Sequence, residues 1–164
     1  MAKQSTKDNL KSLVEVTGLR FSYGDKEILS DISFTVKPNC LVAVLGVNGT
    51  GKSTLIKCLN KINQINDGDV RILGQSIEDL SINELAKKVA YVPQNVSTSF
   101  PIDVYDVILL GRRPYLTWSV GEDDRKIVAR IIETLNLEEF AFRKFHTLSG
   151  GEQQKVMIAK AIAQ

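Results

Sequence analysis

Residues 46–53 read Gly-Val-Asn-Gly-Thr-Gly-Lys-Ser, set between five apolar residues and the start of a helical pattern. Few short segments restrict a fold more. The run at 41–45, Leu-Val-Ala-Val-Leu, predicts a strand buried on both faces, as a parallel α/β core requires. After Lys52 the period changes. Leu55 and Leu59 fall four apart, with Ile56 and Cys58 beside them, which predicts a helix packed on a sheet. Strand, glycine-rich loop and helix in this order form a phosphate-binding loop.

The residue types suit that chemistry. Gly46, Gly49 and Gly51 free the backbone to aim its N–H groups at phosphate oxygens, and the following helix adds its positive end. Asn48 and Thr50 complete the loop, Lys52 is placed for the terminal phosphates, and Thr54 is the next donor. Ser53 is the Mg²⁺ ligand that such a loop supplies. The competing reading is a glycine-rich turn of no function, which the flanking strand and helix oppose.

Around the loop the pattern is that of an α/β chain. Residues 13–23 suit a strand, and 31–37 alternate with Ile32, Phe34 and Val36 on one face, predicting a half-buried antiparallel strand. Asn66-Asp67-Gly68 is a turn before a strand at 70–73. Ser81 and Glu84 have capping-box spacing for a short helix through residue 88, and 89–92 reads as a further strand closed by Pro93. Residues 95–147 show helical periodicity and no convincing strand. One helix carries Val104, Val107 and Ile108, with Gly111 as its stop. Another opens on Glu122, Asp123 and Asp124 and carries Ile127, Val128, Ile131, Ile132 and Leu135. The expected layout is a frayed segment at 1–12, a core formed by 13–94 with 148–164, and a helical subdomain at 95–147.

Composition excludes several classes. The 164 residues are 43% hydrophobic and 24% charged, with a net charge of +2 that argues for no nucleic-acid partner. No apolar stretch reaches the roughly 20 residues needed to span a bilayer, and no secretory signal opens the chain. Cys40 and Cys58 lie in apolar runs and are expected to be small core residues.

A phosphate loop alone does not choose among GTPases, kinases and ATPases. Asn60-Lys61-Ile62-Asn63 lacks the final carboxylate of a guanine-reading motif and lies too early. Two other segments narrow the choice: Tyr-Val-Pro-Gln at 91–94 and Leu-Ser-Gly-Gly-Glu-Gln at 148–153. With the phosphate loop, and in this order, they resemble the nucleotide-binding subunit of ABC transporters over residues 13–164. The resemblance implies a P-loop NTPase core with an N-terminal antiparallel region and an inserted helical subdomain, and ATP with Mg²⁺ as cofactors.

It also implies roles. Leu148, Ser149, Gly150, Gly151 and Glu152 form the signature that faces the ATP of a second nucleotide-binding subunit in a head-to-tail dimer. By its residues alone, the same segment is equally a helix start with Ser149 as cap and Glu152 three residues on. Gln94 resembles the family's glutamine that contacts Mg²⁺ and attacking water, against the plain reading of a polar strand end. Tyr23 resembles the aromatic that stacks on adenine, against that of an ordinary strand-end tyrosine. His146, the sole histidine, precedes the signature and reads as a surface loop residue.

Residues 106–115, Asp-Val-Ile-Leu-Leu-Gly-Arg-Arg-Pro-Tyr, are similar to a segment of importers for iron-siderophore, haem and cobalamin ligands. There the helical subdomain docks on a permease, so the subunit is expected at the cytoplasmic face of a membrane, with a guanidinium and a ring of this turn offered to the partner. No apolar run ending in Asp-Glu occurs, so the family's water-polarising glutamate and switch histidine are lacking in these residues. The expectation is an N-terminal part of a longer subunit, with an incomplete core sheet and little hydrolysis by itself. The alternatives are a soluble ABC ATPase of repair or translation, or a nucleotide-binding module that does not hydrolyse.

Overall fold

The computed structural model describes residues 12–94 and 101–164. The frayed terminus expected over 1–12 therefore lies, up to residue 11, outside the described residues, as does the start of the helical block at 95–100. The chain forms two compact units, one up to Leu85 and one from Ala86 onward.

The first unit is an antiparallel sheet with strand order β2-β1-β3-β4, comprising β1 (Val14–Tyr23), β2 (Lys26–Val36), β3 (Asp67–Ile72) and β4 (Gln75–Ser76). Val16, Leu19 and Phe21 of β1 are all buried, although 16 and 19 differ by an odd step. An extra residue near Gly18 (φ 59°) resolves this: Val16 pairs with Phe34 but Leu19 pairs with Ile32, so a bulge turns the second half of the strand back toward the core. The alternation expected in β2 is present, with Ile32, Phe34 and Val36 half-buried and Ser33 and Thr35 exposed. Helix α1 (Lys52–Leu59) buries Leu55 and Cys58.

Two expected strands do not form. Residues 41–45 carry no regular structure, and Leu41 and Leu45 are fully or almost fully exposed. A strand buried on both faces needs ladder neighbours on its edges, and the strands described here pair only with one another. Cys40, expected in the core, is exposed with this segment. Residues 89–92 are likewise not a strand. The Gln164 side-chain amide holds this stretch instead, donating to the carbonyls of Ala86 (2.6 Å) and Val89 (2.9 Å).

Helix α1 ends in a way its sequence conceals. The Lys61 N–H donates to the Cys58 carbonyl and the Ile62 N–H to that of Lys57, with Lys61 left-handed at φ 54°. This is a Schellman ending with lysine where glycine is usual. The lysine has its own reason to be there. Its ammonium donates to the carbonyls of Ile77 (2.9 Å), Glu78 (3.2 Å) and Leu80 (3.1 Å), gathering the turn before α2 (Ile82–Ala86). The Ser81–Glu84 capping box forms as expected, and α2 stops at Ala86 rather than running to residue 88.

The second unit is helical: α3 (Val104–Leu109), a 3₁₀ segment (Leu110–Tyr115), α4 (Glu122–Thr134) and α5 (Gly150–Ala163). Val104, Val107 and Ile108 of α3, Val128, Ile131 and Ile132 of α4, and Val156, Met157, Ala159 and Ala163 of α5 share one core with Leu137, Phe145 and Leu148. Helix α3 does end just before Gly111, but not on a left-handed glycine: the chain tightens into the 3₁₀ segment instead. Arg112 is not offered outward: its side chain is 14% exposed, donating to Asp124 (2.9 Å) and to the Ala163 carbonyl (2.8 Å). Its guanidinium also lies 4.2 Å from the Tyr115 ring centre, so the arginine of the expected pair is engaged within the unit while the ring stays 40% exposed.

Candidate nucleotide site

The phosphate loop leads directly into α1. Gly51 begins the helix at φ 87°, and a Cβ there would come within 3.0 Å of the Leu29 side chain and 3.2 Å of the Ile28 carbonyl. Only glycine lets the loop lie this close to β2. No side chain caps the helix, so its first N–H groups have no such partner and face the loop mouth as anion donors. Lys52 folds back across the loop and donates to the carbonyls of Gly46 (2.9 Å) and Val47 (2.6 Å), while the Thr50 hydroxyl donates to Val47 (3.0 Å). Asn48 and Gly49 are exposed, Ser53 is exposed on the first helical turn, and Thr54 is half-buried behind it. The strand expected before the motif is absent, and Lys52 rests on the loop's own carbonyls.

A magnesium ion fits this donor set in one way. Ser53 supplies a single hydroxyl, and among the described residues no cluster of His, Cys, Asp or Glu forms a cage. Such a site would hold Mg²⁺ only together with phosphate oxygens that carry it.

Tyr23 stands at the end of β1, half exposed, beside the two-residue turn Gly24-Asp25 that joins β1 to β2. Its ring meets Phe21 edge to face at 4.8 Å, and its phenol oxygen accepts from the Asn63 side-chain amide (3.0 Å). Asn66 accepts from the Ser22 N–H (2.7 Å). The guanine-motif comparison at 60–63 leaves these asparagines unexplained. The signal it passed over is the run of asparagines at 60, 63 and 66 directly after a helix that begins at the phosphate lysine.

Gln94 and residues 148–152 belong to the second unit, whereas Tyr23 and residues 46–54 belong to the first. Gln94 is exposed after Pro93. Ser149 caps α5: the Glu152 carboxylate accepts from the Ser149 amide and hydroxyl, both at 2.7 Å, and the Glu152 N–H points back at the hydroxyl (3.4 Å). Those hydrogen bonds from Ser149 hold the Glu152 carboxyl below its ordinary pKa. Leu148 is buried in the helical core and anchors the turn. Gly150 and Gly151 have neither a left-handed φ nor any atom within 4 Å of where a Cβ would stand. Nothing inside the described chain requires glycine at either place, and beyond the Ser149 cap the space beside both glycines is open. His146 is exposed, as expected.

In the same unit Ile102, Leu109, Leu110, Leu116 and Val120 line a groove of about 350 Å³, with Asp106 and Arg113 supplying its charge. Among the described residues no helix is long and apolar enough to cross a membrane.

Residues 29–164 match the family described as ABC transporter. An ABC transporter ATP-binding protein of Methanocaldococcus jannaschii is 45% identical over 152 residues, which cover 93% of this chain and 59% of that protein. A hemin import ATP-binding protein, HmuV of Deinococcus radiodurans, is 40% identical over 151 residues, 92% of this chain and 57% of its own. A solved inward-facing structure assigned to the metal-chelate type of ABC transporter superposes with a TM-score of 0.78 at 31% identity, covering 93% of this chain and 56% of that one. The chain thus spans a little over half the length of these relatives. It belongs to the ABC transporter family, and its fold is that of the family's ATP-binding P-loop domain.

Proposed function

We propose that this chain is the ATP-binding part of a transporter subunit that couples ATP binding and hydrolysis to import of an iron-siderophore, haem or cobalamin-type ligand. The observation that carries the reading is the phosphate loop: an uncapped helix start, faced by a lysine whose partners are loop carbonyls that phosphate can replace. Backbone N–H groups of 49–54 and the Lys52 ammonium hold the phosphates, Ser53 would hold Mg²⁺, and Tyr23 stacks on the base; Gln94 is assigned to metal and water by its resemblance alone. Bound Mg²⁺ supplies charge neutralisation for the phosphates.

The open start of α5 suits the phosphate of a nucleotide carried by a second copy. An anion arriving there competes with Glu152 for the Ser149 hydroxyl proton and finds the glycine N–H groups unobstructed. The apolar groove beside the 3₁₀ segment suits a permease, which would keep the subunit peripheral on the cytoplasmic face of a membrane. Import of an iron chelate, haem or a corrinoid is supported by the 106–115 resemblance and by the name of the Deinococcus relative.

Equilibrium binding of ATP, with and without Mg²⁺, tests the central claim. Lys52→Ala should remove most of the affinity while leaving the helical unit folded. Undiminished ATP binding by that variant would sink the reading.

A further inference from the structure

We infer that Asn63 is a positioning residue for base recognition: its side-chain amide fixes the phenol of Tyr23 and so ties the base-stacking ring to the far end of the helix that begins at Lys52. The inference rests on the reading of Tyr23 as the residue that stacks on adenine.

Tyr23 sits beside a tight two-residue turn, where a half-exposed ring is free to sample several rotamers. Two tethers reach it from one short segment. Asn66 accepts from the Ser22 N–H and its own N–H donates to the Arg20 carbonyl, fixing the backbone of the strand end. Asn63 then holds the phenol itself at 3.0 Å, while Phe21 meets the ring on another side.

Asn63 is in turn fixed to α1. Its N–H donates to the Lys57 carbonyl (3.2 Å), the acceptor that also closes the helix end with Ile62 (2.9 Å). Helix α1 thus carries the phosphate lysine at its first residue and the holder of the base-stacking ring just past its last, roughly 12 Å along the axis at 1.5 Å per residue. The arrangement presets the ring relative to the phosphates before nucleotide arrives, so binding need not pay to order it. Because Asn66 holds the backbone independently, losing the Asn63 amide frees the ring and little else.

The test compares a ligand that has a base with one that lacks it. Titration calorimetry of the full-length protein with ATP and with inorganic tripolyphosphate is run on wild type, Asn63→Ala, Tyr23→Phe, the double variant and Tyr23→Ala. Asn63→Ala should weaken ATP roughly 3- to 10-fold, the cost of ordering one freed side chain, and leave tripolyphosphate unchanged. Tyr23→Phe keeps the ring but removes the same hydrogen bond from the other side, so it should match Asn63→Ala, and the double variant should be no worse than either. Equal weakening of tripolyphosphate, or additive losses in the double variant, would overturn the inference. So would full ATP affinity in Asn63→Ala when Tyr23→Ala has lost it. Full ATP affinity in Tyr23→Ala would instead remove the stacking reading beneath the inference, and failure of wild type to bind tripolyphosphate would remove the phosphate-loop reading itself.

Discussion

Gly111 and Lys160 approach so closely that a Cβ on the glycine would stand 2.2 Å from the lysine carbonyl oxygen and 3.0 Å from the Ala163 methyl. The 3₁₀ segment therefore lies against the backbone of α5, and α5 and the 106–115 segment share one packing surface. Gly111→Ala should destabilise the protein by about 1–3 kcal/mol, the usual cost of overpacking, because the obstacle is backbone that cannot rotate away. Urea unfolding measures it, and an unchanged midpoint would contradict the packing.

Lys61→Met keeps the aliphatic stem but withdraws three donors from the carbonyls of Ile77, Glu78 and Leu80. Stability should fall by about 2 kcal/mol, in the range for charge-assisted hydrogen bonds lost from a partly buried turn. Lys61→Arg should recover less than the parent, since a planar fork cannot reproduce three diverging ammonium bonds. Thermal unfolding of the three proteins side by side tests the order.

Acid should weaken the helical unit. Arg112 and the Gly121 N–H hold the Asp124 carboxyl below its ordinary pKa, and the Ser149 hydroxyl and amide do the same for Glu152. A carboxyl whose pKa is lower folded than unfolded adds stability above its unfolded pKa, and that stability is lost as pH falls through the folded value. Denaturation midpoints should therefore decline as pH drops through and below the carboxylate range. In Asp124→Asn with Glu152→Gln the neutral-pH midpoint should be lower and the decline shallower. Parallel declines would exclude these two groups.

Gly151→Ala separates folding from function. Its Cβ meets nothing, and alanine suits a helix better than glycine by about 1 kcal/mol, so the isolated chain should be as stable as the parent or slightly more so. If the helix start receives a partner's phosphate, ATP turnover of the assembled transporter should nevertheless fall. A variant that is both stabler and fully active would mean that the glycines serve no ligand.

The sequence reveals best what is built from neighbouring residues. The Ser149–Glu152 and Ser81–Glu84 boxes, the stripe of α4 and the alternation of β2 all follow from spacing alone, and all are present. It misleads where the outcome depends on a distant partner. The apolar character of 41–45 says that the segment wants neighbours but not which ones, and none of the described strands pairs with it. Gly111 falls where α3 ends, but its close approach to a carbonyl some fifty positions later leaves no local mark. Arg112 and Asn63 escaped for the same reason: one binds Asp124 and Ala163, the other Tyr23, all remote in sequence.

Lys52 and Thr50 turn back onto carbonyls three to six residues away, so the phosphate loop is a ring fastened by its own side chains. A ring of this kind draws little on a ladder: it leans on β2 at Gly51, while the stretch just ahead of it runs free of the described sheet. Any grip such a ring has on phosphate is in that sense portable. It travels with a handful of consecutive residues, and the surrounding architecture determines only the work to which the grip is put.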